Sequence, residues 1–147
     1  MIFFTFLAAI AGCALSVQVP INAQLSRQLG TPLAAAAVSF AVGAVVLTAT
    51  TWVMERGLTP FEGIRSAPLW IIIAGGCLGA FYVSTSISLV PRIGTAALVA
   101  FVIAGQLAAA ALIDRFGLLG VDARDLTAGR VIGLIAVFGG ALLVRFA

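Results

Sequence analysis

The sequence contains no lysine and no histidine, so all eight of its basic residues are arginines. Charged residues make up 9% of the chain, against about 25% in a typical soluble domain, whereas hydrophobic residues make up 63%. So few charges do not cover a water-facing surface. The surplus apolar area requires an apolar solvent, and a lipid bilayer provides one.

These absences also exclude several classes of function. The net charge of +3 is dispersed and forms no basic patch, so we expect no nucleic-acid binding. Neither an HExxH nor a GxSxG motif occurs, so we expect no enzyme activity, no cofactor and no metal. Cys13 and Cys77 lie in apolar runs without a partner pattern, and we interpret both as small packing residues.

Long uncharged stretches indicate five membrane-spanning helices. The predicted spans are residues 1–26, 32–54, 68–90, 95–113 and 126–146. The first four reach the roughly 20 residues that cross about 30 Å of hydrocarbon. The fifth is short between Arg130 and Arg145, and it spans the bilayer if it begins near Leu126 and these arginines snorkel to the interface. The sequence therefore predicts an all-α integral membrane protein with a single transmembrane domain over residues 1–147.

Helix boundary signals support these spans. Thr31-Pro32 is a cap residue followed by proline at the first helical position, and Ser66 to Pro68 offers the same start for the third helix. Pro91 is expected to end the third helix, and Gly94 to open the fourth. Gly117 is expected to stop the fourth helix in a left-handed conformation.

The orientation in the membrane is weakly encoded. Five spans place the termini on opposite sides, and the arginines divide five to three between those sides. The side of the N-terminus carries Arg56, Arg65, Arg115, Arg124 and Arg130, and the other side carries Arg27, Arg92 and Arg145. The positive-inside rule then slightly favours a cytoplasmic N-terminus. So small a bias is equally compatible with one fixed orientation and with antiparallel pairing of two copies.

The first helix carries the first candidate binding surface. Gln18, Asn22 and Gln24 surround Pro20, and Gln18 and Asn22 share a helix face. Pro20 has no N–H, so the carbonyl of Ser16 loses its helical partner. Amides beside a free carbonyl predict a substrate surface. The alternative is a helix end wetted by interface water.

Further polar side chains lie in the third and fourth helices. We expect Gln106 to be the most buried amide, and the alternative role for it is a packing bond between helices. Hydroxyls in membrane helices often bond back to their own backbone, which is the alternative for the third helix. The full set of predicted substrate-binding residues is Gln18, Asn22, Gln24, Tyr82, Ser84, Thr85, Ser88 and Gln106.

Glycines at four-residue spacing mark candidate packing faces, because they let helix backbones approach closely. The predicted helix-packing residues are Gly75, Gly79, Gly129, Gly133 and Gly140. The fifth helix has almost no polar residue within its apolar stretch. We therefore interpret it as a packing or dimer-contact helix rather than part of a transport pathway.

Three sets of segments stand out together. They are residues 18–25 (QVPINAQL) with Gly30, Ser39-Phe40 and Gly43; Gly75-Gly76 with residues 79–83 (GAFYV), Pro91-Arg92 and Gly94; and Gly105-Gln106 with Asp114 and Gly117. Together these segments resemble the YdcZ-like family of the drug/metabolite transporter superfamily, and the resemblance covers essentially the whole chain.

The resemblance implies a five-helix half of a ten-helix transporter in the bacterial inner membrane. It also implies pairing with a second copy or a homologous chain in the opposite orientation, surrounded by membrane lipid. The chain departs from the related small multidrug transporters, because its first helix lacks their proton-binding glutamate. We therefore expect a small neutral, zwitterionic or anionic solute, or uncoupled passage. A non-transporting scaffold subunit and a small channel are the alternative functions.

Overall fold

The computed structural model describes residues 2–55 and 59–147. Met1, which begins the first predicted span, and Arg56, one of the arginines that set the orientation, lie outside the described residues. Within the described ranges the chain forms five long α-helices and no strand. The helices are α1 (Ile2–Leu29), α2 (Pro32–Met54), α3 (Leu69–Ile93), α4 (Thr95–Phe116) and α5 (Ala128–Phe146), with short 3₁₀ helices at Thr59–Arg65 and Leu118–Gly120.

All five helices are long and apolar enough to cross a membrane, which confirms the predicted all-α membrane fold. Two of the predicted boundaries are also confirmed. The Thr31 side chain accepts a hydrogen bond from the backbone N–H of Leu33 at 3.3 Å, and Pro32 opens α2. Gly117 ends α4 in the left-handed region at φ +60°.

The predicted end of the third helix is wrong. α3 continues through Pro91 to Ile93, because proline in the last turn removes a single backbone bond and leaves the rest of the helix intact. The helix stops at Gly94, whose φ of +82° suits glycine. Ser66 does not cap α3 either, since its hydroxyl donates to the carbonyl of Gly63 at 3.0 Å.

Three other ends lie a few residues from their predicted positions. α1 runs on to Leu29 and is followed by Gly30 at φ +79°, and α4 runs on to Phe116. α5 begins at Ala128 rather than near Leu126. The reason is the cap residue Thr127, whose hydroxyl accepts a hydrogen bond from the N–H of Arg130 at 3.4 Å.

The chain packs as two compact units that divide within α3, the first ending at Val90 and the second comprising Pro91–Ala147. In the first unit, α1 and α2 pack closely against each other. Its core consists of Ala35, Ala36 and Ile87, with Leu25 and Val83 packed against them. Two alanines on α2 allow the helix backbones to approach. The single domain over residues 1–147 stays a prediction.

In the second unit, α4 packs along α5. The rings of Phe101 and Phe138 meet edge to face, with centroids 6.3 Å apart. Beyond the end of α4, the chain folds back onto that helix, since the N–H of Arg124 donates to the carbonyl of Asp114 at 2.7 Å. This bond holds the connection between the two helices against the end of α4.

Candidate functional site

A buried amide links α1 to α2. Asn22 is 5% exposed, and its Nδ2 donates a hydrogen bond to the Oγ of Ser39 at 3.3 Å. A side-chain amide offers two N–H donors and one carbonyl acceptor. One donor is used by Ser39, and the other donor and the carbonyl oxygen make no hydrogen bond to any described residue. Asn22 therefore has spare hydrogen-bonding capacity inside an apolar helix pair.

The two glutamines of α1 that were predicted to bind substrate are placed differently from Asn22. Gln18 and Gln24 are both exposed, and Pro20 between them is half-buried in a helix that runs through it. The difference in exposure follows from the packed face of α1. That face passes through Val19 and Ala23, which are buried together with Asn22. The structure thus brings Asn22 to α2 and leaves Gln18 and Gln24 on the outside of this unit.

The serine hydroxyls of α3 largely form hydrogen bonds to their own backbone, which is the alternative given for them above. Ser84 donates to the carbonyl of Ala80 at 2.6 Å, and Ser88 donates to the carbonyl of Ser84 at 2.8 Å. Tyr82 and Thr85 are half-buried. The O–H donors of Ser84 and Ser88 are therefore used in hydrogen bonds to backbone carbonyls of α3. Their oxygens can still accept a hydrogen bond from a ligand.

The expectation that Gln106 is the most buried amide is wrong for the single chain. Gln106 is exposed, and no hydrogen bond joins its amide to any residue of 2–55 or 59–147. The reason is geometric: α4 buries Ala97 and Ala104, and Gln106 lies two residues, about 200°, around the helix from Ala104. Gln106 also belongs to the second unit, whereas the other predicted binding residues belong to the first.

Among the five predicted packing glycines, Gly79 lies close to a side chain of another helix. A Cβ at this position would lie 3.2 Å from the Cζ of Phe40, so the side chain of α2 fills the space that glycine leaves on α3. At Gly75, Gly129, Gly133 and Gly140, an added Cβ would meet nothing within 4 Å. Packing of these four against a partner chain stays a prediction.

A charged cluster, which sequence reasoning did not identify as a site, joins the ends of α4 and α5. Arg130 contacts Asp114 at 2.9 Å, and Arg115 contacts Asp125 at 2.6 Å. A second nitrogen of Arg130, Nη1, donates to the backbone carbonyl of Asp125 at 3.4 Å. The sequence signal was present, because opposite charges lie at facing ends of two consecutive apolar helices. Ser39, the partner of Asn22, was likewise missed as a site residue.

An apolar groove begins at this cluster and follows α4 and α5. It has a volume of about 390 Å³, and Asp114 and Arg130 lie at its charged end. Its apolar wall is formed by Leu107, Ala110, Ala111, Gly133, Leu134 and Val137. The second unit thus contains a charged mouth and an apolar interior in one cavity.

No group of three or more metal-ligating side chains occurs in the part of the chain that the structure describes. The arrangement offers neutral hydrogen-bonding groups within the helices and charges at their ends. Such a distribution offers hydrogen bonds to a polar solute within the helices.

Comparison with known proteins finds a matching family and a similar protein. A family model described as "Putative inner membrane exporter, YdcZ" matches residues 3–143. The chain is 33% identical to the "Inner membrane protein YdcZ" of Escherichia coli (strain K12) over 134 residues, which cover 91% of this chain and 89% of that protein. No solved structure gives a significant match.

Proposed function

The chain belongs to the YdcZ family of bacterial inner membrane transporters, and we propose that it forms one half of an alternating-access exporter for a small polar solute. A second copy or a homologous chain in the opposite orientation supplies the other half. Two oppositely oriented five-helix chains have the inverted symmetry on which alternating access is built. The protein is a multi-pass protein of the inner membrane.

The observation that carries this proposal is the buried amide of Asn22. Polar groups at membrane depth are costly and mark pathways when they face a cavity or a partner helix. Asn22 is held against Ser39, and its carbonyl oxygen and second N–H make no hydrogen bond within residues 2–55 and 59–147. A solute that presents one donor and one acceptor can bind there without any charge being brought into the bilayer.

The exposed amide of Gln106 supports the paired arrangement. It lies midway along α4, where the surrounding solvent is hydrocarbon, and it has no hydrogen-bond partner within the described chain. An unsatisfied amide in such a medium costs several kcal/mol, on the order of the loss of its hydrogen bonds. A second chain that covers this part of α4 removes the cost, and a solute bound beside it does the same.

The charge distribution favours neutral, zwitterionic or anionic solutes. In the five helices the charged residues lie near the ends, as with Arg27 in α1, Asp114 in α4 and Arg145 in α5. No carboxylate is available near mid-membrane in the described residues to bind a proton or a cationic drug. The binding groups that remain are amides and hydroxyls.

Transport is tested with purified protein in proteoliposomes loaded with a ¹³C-labelled metabolite extract of bacterial cells. Mass spectrometry then identifies any solute that leaves the vesicles. We expect at least one solute to leave with saturable kinetics and counter-exchange, and Asn22→Ala or Gln106→Ala to reduce its flux to about a tenth or less. Cys13→Ala is the matched control on α1, because Cys13 is exposed and makes no contact that the proposal uses.

Three results would contradict parts of this proposal. If no solute leaves faster than it does from loaded liposomes without protein, the chain is a non-transporting scaffold. If efflux does not saturate and shows no counter-exchange, the protein is a channel. If both amide variants transport like the wild type, Asn22 and Gln106 are not the binding residues.

The antiparallel pair is tested by cysteine labelling. Arg145→Cys is introduced into a chain in which Cys13 and Cys77 are replaced by alanine. A membrane-impermeant maleimide is applied to intact cells and then to permeabilised cells. A dual-topology homodimer gives labelling from both faces in comparable amounts. Labelling from one face alone refutes the homodimer and leaves a homologous partner chain as the other half.

A further inference from the structure

The groove between α4 and α5 has the dimensions of a lipid-binding site. It extends from Asp114 back to Leu107 on α4, and from Arg130 on to Val137 on α5. Seven residues of helix correspond to about 10 Å, so the groove runs from the helix ends most of the way through one leaflet of hydrocarbon. Its charged end is at the level of lipid headgroups, and its apolar part is at the level of acyl chains.

The charged end carries both signs of charge in equal number. From Asp114 to Arg130, both included, the sequence contains three acids and three arginines. The side chains of Arg130 and Asp114 are 40% and 26% exposed, so both reach solvent or headgroups. Arg130 has five N–H donors and uses Nη1 and Nη2, and Asp114 uses one of its two carboxylate oxygens. Each partner of this ion pair therefore retains bonding capacity toward a ligand of the opposite charge.

We propose that this groove binds a phospholipid whose headgroup contains both a phosphate and a primary ammonium group. The phosphate accepts hydrogen bonds from Arg130, the ammonium donates to Asp114, and one acyl chain lies against Leu107, Leu134 and Val137. A purely anionic headgroup satisfies Arg130 and is repelled by Asp114 and Asp125. A quaternary ammonium headgroup has no N–H to donate. The charges at the mouth thus select the zwitterionic lipid with a primary amine.

Gly133 keeps the groove open. It lines the cavity, and a side chain added there would meet nothing within 4 Å at its first atom. Gly133→Leu therefore adds a side chain to the groove with no clash at its Cβ. Gly105→Leu is the matched control, because Gly105 lies on α4, also faces open space, and does not line the groove.

The experiment is native mass spectrometry of the purified full chain in nonionic detergent. Dioleoyl phosphatidylethanolamine, phosphatidylcholine and phosphatidylglycerol are added singly at matched concentrations. We expect phosphatidylethanolamine to bind the wild type about fivefold more tightly than either other lipid, as one partly exposed ion pair allows. Asp114→Asn and Gly133→Leu should each abolish this preference, and Gly105→Leu should retain it.

The comparison of headgroups on the wild type needs no variant, so it remains decisive if a substitution impairs folding. Equal or tighter binding of phosphatidylglycerol overturns the proposal. So does an unchanged lipid preference in Gly133→Leu. A loss of dimer in that variant, with lipid binding unchanged, assigns the groove to a second copy of the chain. The inference does not rest on the proposed transport, because lipid binding is measured without a transported solute.

Discussion

The two compact units of this protein place their polar side chains in opposite ways. The first unit, which ends at Val90, holds a neutral pair, Asn22 and Ser39, between α1 and α2. The second unit, Pro91–Ala147, has ion pairs at the ends of α4 and α5, with side chains that are 26–87% exposed. Its helix contact farther from those ends includes the rings of Phe101 and Phe138.

Membrane energetics explain this difference. A charged side chain at the centre of the bilayer costs about 2.5–3.5 kcal/mol on insertion scales, and the cost falls near the interface. An amide hydrogen-bonded to a hydroxyl avoids most of that penalty and still offers groups to a solute. We therefore assign solute contact to the neutral pair of the first unit and positioning of helix ends to the ion pairs of the second, and the amide of Gln106 is the one neutral group of the second unit that we place beside the solute. The predictions that follow test this division.

The largest expected effect comes from adding volume to the core of the first unit. Ala35 is 0% exposed and packs with Ile87, so Ala35→Leu has no space and should destabilise the protein by about 1–3 kcal/mol. Ala110→Leu is the matched control in the second unit, because Ala110 lines the open groove. Unfolding in a dodecyl sulfate titration, followed by tryptophan fluorescence, measures both variants. Equal effects would show that the two units are packed alike.

The second expected effect is a coupling between Asn22 and Ser39. Interhelical side-chain hydrogen bonds in a membrane protein contribute about 0.6 kcal/mol on average and at most about 1.7 kcal/mol. A double-mutant cycle of Asn22→Ala and Ser39→Ala should give a coupling in this range, because the two side chains are 3.3 Å apart. Gln24→Ala with Ser39→Ala is the control cycle, since Gln24 is exposed. A coupling no larger than that of the control cycle would mean that the pair does not join α1 to α2.

The sequence predicted the helices better than the contacts between them. All five spans follow from uncharged length, and Thr31 and Gly117 mark their boundaries through local chemistry that needs no tertiary contact. Pro91 was misjudged, because proline weakens a last turn without ending it. Boundaries set by one residue and its immediate neighbours are therefore within reach of sequence reasoning.

The site was harder to predict, because it depends on which face of each helix is packed. Asn22 and Gln18 share a helix face by spacing, yet one is buried and the other exposed. Gln106 was predicted to be buried, although the packed face of α4 passes through Ala104. Partners such as Ser39 are set by the register between two helices, and one sequence alone does not contain that register. Direct hydrogen bonds across helices are thus a property of the fold rather than of a motif.

The smallest expected effect distinguishes the two ion pairs of the second unit. Arg130→Gln should cost about 0.5–1 kcal/mol, because Asp114 is 26% exposed, whereas Arg115→Gln should cost about 0.3 kcal/mol or less, because Asp125 is 87% exposed. The difference should shrink when sodium chloride is raised to about 1 M, where screening acts within about 3 Å. Measurements in lipid-free detergent keep bound phospholipid from contributing to either value. If Arg115→Gln proves the more costly, exposure does not govern these charges, and the second unit relies on its loop rather than on Arg130 to hold α5 against α4.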